Sequence, residues 1–331
     1  MTSVPVVSLV MANYNGARHL GEAIASAQRQ TLTDWELILV DDASTDDSRA
    51  VAVALAQTDP RIRVLAQARN RGPAAARNRA LDAARGAWIA VVDSDDVMLP
   101  TRLERLVARA RAEDAEIVAD DQWICAADLT SSRSPFIGRA RAERLGRVDL
   151  ATFVDSSRLY SRLPDLGFLK PLIRADLIAR VGARYDEDLR IGEDFHFLVA
   201  LLGAGARLHL EPEALYLYRK HGASTSHRFR PEVLAAMTAA DTRVRAGLDD
   251  PAAVRAMTRR IEGLKSWAAY ERVMAEAKAG RWLRALGAAA ARPHAWALIG
   301  LPLRRRLTEA LRGRGRALAG ARLDLSAKEG A

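Results

Sequence analysis

Apolar runs alternate with segments of helical spacing through the first half of the chain. "VPVVSLVMA", "WELILVDD", "IRVLAQ", "WIAVVDSDD" and "AEIVADDQWI" are apolar, partly β-branched stretches of strand length. Between them, "ARHLGEAIASAQRQ" sets Leu20, Ile24 and Ala27 at helical spacing, and "AVAVALAQ" and "TRLERLVARARAE" also read as helices. "GPAAARNRALDAARG" predicts a helix with Pro73 in its first turn and Gly86 beyond its end. The strands are apolar throughout, so both faces of their sheet must be covered. The βαβα order then predicts an α/β fold, a mainly parallel sheet with helices on both faces. Ligands of such sheets bind beyond the carboxyl ends of the strands. Tyr14 and Asn15, then Asp42, then Asp93, Asp95 and Asp96 fall at three such ends.

The pattern weakens further on. Residues 128–170 are less regular, and "TSSRSPFIGRARAERLG" reads as a mobile basic loop. "KPLIRADLIARVG" reads as helix or strand, "EDFHFLVALLGAG" as a helix ended by Gly, and "RLHLEPEALYLYR" as a strand broken by Pro212. From about residue 231 the chain reads as helical. The expected organisation is a main domain over residues 1–230 and a basic helical extension over residues 231–331.

Composition narrows the setting. At 331 residues and 49% hydrophobic content the chain can bury a sizeable core. Its single cysteine, Cys125, allows no internal disulfide and fits a reducing compartment. "MTSVPVVSLVMANYNG" has no basic leader and reads as a first strand, and no stretch reaches the roughly 18 apolar residues of a spanning helix. The net charge of +9 is uneven: residues 1–230 balance at 31 Lys+Arg and 31 Asp+Glu, whereas residues 231–331 carry 19 against 10. That excess suits an anionic membrane surface, nucleic acid or a solvated arginine-rich surface. Within residues 281–331, Trp282 and Trp296 with Arg304, Arg305 and Arg306 suit interfacial amphipathic helices. The alternative is a helical appendage whose tryptophans are core.

"VVDSDDVMLP" crowds Asp93, Asp95 and Asp96 into four positions. They read either as turn and cap residues or as hard oxygen ligands for Mg²⁺ or Mn²⁺, with the cation relieving their repulsion. "RIGEDFHFLV" places Glu193 and Asp194 at a helix start, where they could simply complement the helix dipole. His221 lies just past a strand in "YLYRKHGASTS".

Taken in order, "SLVMANYNGARHLGEAIASAQRQTLTDWELILVDDASTDDS", "NRGPAAARNRAL", "VVDSDDVMLP", "GEDFHFLVAL" and "YRKHGASTS" resemble a family 2 glycosyltransferase of the GT-A fold over about residues 5–228. "GFLKPLIRADLIARVGARYDEDLRIGEDF" is similar to bacterial exopolysaccharide glucosyltransferases of the succinoglycan type. The resemblance implies a nucleotide-sugar donor, commonly a UDP-sugar, and a saccharide acceptor, lipid-linked or not. It implies that Ala12 and Tyr14 form part of the base pocket, Tyr14 by stacking. Asp42 would accept from the base edge and Arg77 would approach the nucleotide. Asp93 would hold the ribose or a metal-bound water, Asp95 would ligate Mg²⁺ or Mn²⁺, and Asp96 could do either or cap the next helix. Asp194 would be the general base, with Glu193 orienting it or binding acceptor. His221 would complete the metal shell or touch the diphosphate, and Lys170 would contact phosphate or acceptor. The resemblance also implies inversion at the anomeric carbon. The Gln-x-x-Arg-Trp motif of processive members is absent from "YLYRKHGASTS", which points to one sugar per encounter. The expected location is cytoplasmic, either free or peripheral on the inner face of the cytoplasmic membrane.

Rival readings fare less well. "ANYNGARHLG" is not G-x-G-x-x-G and no P-loop occurs, which excludes a nicotinamide dehydrogenase and a P-loop ATPase. A nucleotidyltransferase shares an acidic metal site but needs a basic Gly-rich loop near the first strand. A catalytically silent nucleotide-sugar binder also remains open. A nucleic-acid-binding protein would explain the basic excess, but no recognition motif accompanies it.

Overall fold

The computed structural model describes residues 4–158, 161, 163–221 and 230–290. Strands and helices alternate through β1 (Val7–Asn13), α1 (Ala17–Gln28), β2 (Trp35–Asp41), α2 (Ser48–Thr58), β3 (Ile62–Ala66), α3 (Pro73–Ala83) and β4 (Trp88–Asp93). They continue with β5 (Val97–Met98), α4 (Arg102–Ala112), β6 (Ile117–Cys125), β7 (Arg133–Pro135), α5 (Arg139–Leu145), β8 (Arg147–Val148) and α6 (Leu150–Ser156). After a single 3-10 turn at Leu166–Phe168 come β9 (Leu172–Arg174), α7 (Ala175–Val181), α8 (Glu193–Gly203), β10 (Leu208–Arg219), α9 (Pro231–Ala246), α10 (Pro251–Lys278) and α11 (Trp282–Ala290).

The sheet runs β3-β2-β1-β4-β9-β6-β10-β5, with β7 beside β6 and β8 beside β10. Strands β3, β2, β1 and β4 are mutually parallel, as are β6 and β10. Short β9 is antiparallel to both β4 and β6 and joins the two parallel parts into one mixed sheet. Alternate residues of each strand serve opposite faces. Leu9, Met11, Leu37 and Leu39 pack with Leu20 and Ile24 of α1 and Leu103 and Leu106 of α4. Val10, Ile38 and Val40 pack with Ala76 and Ala80 of α3 and Leu198 of α8. Two covered faces are the physical reason the strands read as unbroken apolar runs.

Close approach is built in at Gly86, where an added Cβ would fall 2.5 Å from the Ser8 amide nitrogen. A second device is an internal ion pair. Arg102 is fully buried and grips Asp120 of β6 with two bonds of 2.9 Å. The same guanidinium donates to the Lys170 carbonyl and lies 4.7 Å from the Tyr216 ring.

The structure corrects two sequence expectations. "TSSRSPFIGRARAERLG" is not a loop throughout: it contains β7 and α5, because Asp121 accepts from the amides of Ile137 and Gly138 and fixes the start of α5. Pro212 does not break its strand. β10 runs unbroken over twelve residues and absorbs the missing N–H through register shifts between Glu211 and Ala214 and between Ala214 and Tyr216.

The chain divides into two compact units, residues 1–261 and 262–331. Within the first, α9 and the start of α10 are secured by Arg260, which donates to Asp241 at 3.0 Å and to the Ser157 carbonyl. In the second, Val273 packs with Ala285 and Ala289, leaving Trp282, Leu283 and Leu286 of α11 exposed. No described helix is long and apolar enough to cross a membrane. Trp296, Arg304, Arg305 and Arg306 lie outside the described residues.

Replacing Asp120 with Ala strands the Arg102 charge in the core. Asp120→Ala is expected to cost about 3–5 kcal/mol, read as a lower urea midpoint with an unchanged slope.

Candidate active site

Strands β1, β2 and β4 are neighbours, so their carboxyl ends bring three sequence motifs together. Ala12 is half-buried near the end of β1, paired with Val40 and Asp93. Tyr14 follows with half of its surface exposed. Asn15 adopts a positive φ of 52° and its Oδ1 accepts from the Thr45 amide at 2.8 Å, closing the β1 and β2 loops on each other. Asp42 is buried and heavily committed. It accepts from Gln67 Nε2 at 2.7 Å, the Arg71 amide at 2.8 Å and the Gly72 amide at 2.7 Å. Its role within the chain is thus to hold the loop that starts α3. That loop needs Gly72, whose φ of 94° is left-handed and whose absent Cβ would meet Arg190.

Helix α3 carries Arg77 under the edge of the sheet. Its guanidinium is buried and reaches Glu193 Oε1 at 2.8 Å, Asp93 Oδ1 at 3.0 Å and Asp194 Oδ1 at 3.1 Å. Lys170, also buried, reaches Asp93 Oδ2 at 2.8 Å and Asp194 Oδ2 at 3.4 Å. Two cations therefore bridge three acids drawn from β4 and the first turn of α8. Burial works to raise the Asp93 carboxyl, but Lys170 and Arg77 outweigh it and hold it down at about 2. Burial, with Asp194 beside it, raises Glu193.

The turn after β4 presents a different environment. Asp93, Asp95 and Asp96 each offer an oxygen within 4.8 Å of the others. Asp95 Oδ2 lies 2.8 Å from His221 Nε2. Asp96 does not cap α4; its Oδ1 accepts from the Arg219 amide at 2.8 Å, and its Oδ2 is buried without a partner. Burial, then Asp93 and Asp95, push its carboxyl well above the usual range. A buried, unpartnered oxygen among hard oxygen donors fits a divalent cation such as Mg²⁺ or Mn²⁺.

The structure thus brings Arg77, Asp93, Lys170, Glu193 and Asp194 into one network, and Asp95, Asp96 and His221 into a second that shares Asp93. Ala12, Tyr14 and Asp42 sit at the neighbouring strand ends. Sequence reasoning passed over Arg219, which bonds the Asp95 carbonyl at 2.7 Å, and His19, whose ring centre lies 5.4 Å from that of His221. In a chain this rich in arginine, Arg219 carries no signal of its own; its position two residues before His221 was the available clue.

Acids gathered at the carboxyl edge of an α/β sheet mark a ligand site of that class of folds, and comparison with known proteins identifies the family. The family model "Glycosyl transferase family 2" matches residues 8–165. The chain is 36% identical over 305 residues to the succinoglycan biosynthesis protein ExoO of Rhizobium meliloti (strain 1021), covering 92% of this chain and 86% of that one. It is 35% identical over 262 residues to ExoU of the same organism, covering 77% and 75%. S. aureus TarS 1-349 in complex with UDP-GlcNAc shares the fold with a TM-score of 0.65 at 20% identity, over 85% of this chain and 79% of that one. Mannosyltransferase PcManGT from Pyrobaculum calidifontis in complex with GDP-Man and Mn²⁺ shares it with a TM-score of 0.59 at 20% identity, over 96% and 81%. The chain belongs to glycosyl transferase family 2 and is a glycosyltransferase of the GT-A fold.

Arg77→Met leaves Glu193 without its cationic partner and Lys170 alone against Asp93 and Asp194, and is expected to cost about 3–5 kcal/mol at neutral pH. Asp93, lowered from 3.8 to about 2, adds stability above its ordinary value and loses it as pH falls through 2. The gap between wild type and Arg77→Met should therefore narrow from about pH 5 downward, as read by denaturation with chelator present.

Proposed function

We propose that the protein transfers one sugar per encounter from a nucleotide-sugar, most simply a UDP-sugar, to a saccharide acceptor in exopolysaccharide biosynthesis. The acceptor is lipid-linked and the anomeric centre inverts. The observation that carries this reading is the pair of adjoining acid networks: one neutralised by Arg77 and Lys170, the other with its Asp96 oxygen unpartnered. The names of ExoO and ExoU support the pathway, and the UDP-GlcNAc and GDP-Man complexes of the fold relatives support the donor class.

In this reading the catalytic domain is residues 1–230, and all the assigned residues lie within it. Tyr14 stacks on the base, Ala12 lines the same pocket, and Asp42 serves the base edge through the loop it holds. Asp95 and Asp96, with Asp93 and His221, would hold Mg²⁺ or Mn²⁺. Such a cation supplies Lewis-acid stabilisation of charge on the departing diphosphate. Asp194 removes the proton from the acceptor hydroxyl as its oxygen bonds the anomeric carbon. The bond from that carbon to the diphosphate oxygen breaks, and its electron pair leaves with the nucleotide. Glu193 and Lys170 orient Asp194 and meet the acceptor, while Arg77 keeps the acids together.

The calorimetric test is titration of UDP into wild type and Asp95→Ala with and without Mn²⁺. Binding that requires the metal and is lost in the variant is expected; no nucleotide binding by folded wild type would refute the reading. Asp194→Asn is expected to keep UDP binding and lower turnover about 10²–10⁴-fold, with NMR of the wild-type product from an α-linked donor showing a β linkage.

Residues 231–331 form the basic extension of this proposal, and a membrane role is supported by α11. Trp282, Leu283 and Leu286 are exposed at 65%, 86% and 56%, flanked by exposed Arg281 and Arg284. Such a surface suits the headgroup region of an anionic bilayer. The protein would then sit on the cytoplasmic face, beside the lipid-linked acceptor of this reading. Flotation with phosphatidylglycerol vesicles is expected for wild type and lost when all three apolar residues become Ser.

A further inference from the structure

The turn that carries Asp95 and Asp96 has no regular structure of its own between the ends of β4 and β5, yet the cation reading requires its oxygens to converge. Arg219, the last residue of β10, supplies the constraint. Its side chain is buried, with 4% exposed. Nε donates to the Asp95 carbonyl at 2.7 Å, Nη1 to the Ala127 carbonyl at 2.5 Å and Nη2 to Glu22 Oε2 at 2.5 Å. Its own amide donates to Asp96 Oδ1 at 2.8 Å. Two residues further, His221 Nε2 meets Asp95 Oδ2 at 2.8 Å.

One short stretch of chain therefore holds both acids. The guanidinium grips the Asp95 main chain, the Arg219 amide fixes the rotation of the Asp96 carboxyl, and the imidazole fixes that of Asp95. The charge of Arg219 is met by Glu22 of α1, outside the acid cluster. The arginine thus fastens the turn through carbonyls without its positive head group occupying the carboxylates. A guanidinium in direct contact with those oxygens would compete with a cation. The remaining arms tie the turn to α1 and to the end of β6, so that it cannot shift without moving both. A lysine has no planar fork and can reach only part of this acceptor set.

We propose that Arg219 is a positioning residue that sets the geometry of the cation site, acting through Asp95, Asp96 and His221. This rests on the reading of the Asp93, Asp95 and Asp96 turn as that site.

The test measures Mn²⁺ affinity in the presence of UDP, and melting temperature, for wild type, Arg219→Lys, Glu22→Gln and Arg260→Lys. Arg260 is another buried arginine of the same unit, engaged with Asp241 and remote in its bonding from the turn. Arg219→Lys is expected to weaken Mn²⁺ binding about tenfold or more. Arg260→Lys should lower the melting temperature and leave Mn²⁺ affinity unchanged. Wild-type Mn²⁺ affinity in Arg219→Lys, or equal losses in both arginine variants, would overturn the proposal. If Arg219→Lys fails to fold, Glu22→Gln decides: about threefold weaker Mn²⁺ binding is expected, and no change overturns it. Absence of metal-dependent UDP binding in wild type would instead sink the cation reading, and the clamp with it.

Discussion

Buried charge compensation between Arg77, Lys170 and three carboxylates is the constraint around which the molecule is organised. None of these groups tolerates burial alone; an uncompensated charge in such a place costs several kcal/mol. Their compensation requires α3, the segment ahead of β9, the end of β4 and the start of α8 to converge to hydrogen-bond distance. The rest of the fold supplies that convergence. Small residues Ala74, Ala76 and Ala80 let α3 lie close on the sheet, and Arg102 pins the Lys170 carbonyl from beneath. Helix α8 is seated by stacking of Phe195 on Phe153 and Phe197 on Tyr185.

The two acid networks divide the electrostatics. Asp93 belongs to both and is kept ionised by its cationic neighbours, whereas Asp96, buried and short of partners, resists ionisation. The crowding in "VVDSDDVMLP" is thus relieved at Asp93 by two buried cations, while Asp96 keeps one buried oxygen without a partner.

Most of the sheet was readable because strands covered on both faces must be apolar throughout, and helices that cover them must repeat at helical spacing. The edges of the site were readable for a related reason, since parallel strands collect their carboxyl ends. What escaped was structure made by single long-range contacts. The start of α5 depends on the Asp121 carboxylate sixteen residues upstream of Ile137. The continuity of β10 past Pro212 depends on register shifts against β6. Asp42 reads as a ligand group at a strand end, yet it also organises the Gly72 loop. Arg219 was hidden because its meaning lies in acceptors on α1, the acid turn and the end of β6, none of them near in sequence.

Strand β9 enters the sheet in the middle, between β4 and β6, at the end of a long excursion from the end of β6. Both ends of that excursion are tied: the Ala127 carbonyl to Arg219 at the start, the Lys170 carbonyl to Arg102 at the finish. The segment between them is part of the frame as well as tied to it: Phe153 within it stacks on Phe195 of α8, and β8 pairs with β10. Because α8 starts with Glu193 and Asp194, a change in the packing of this stretch reaches the acids through the helix that carries them.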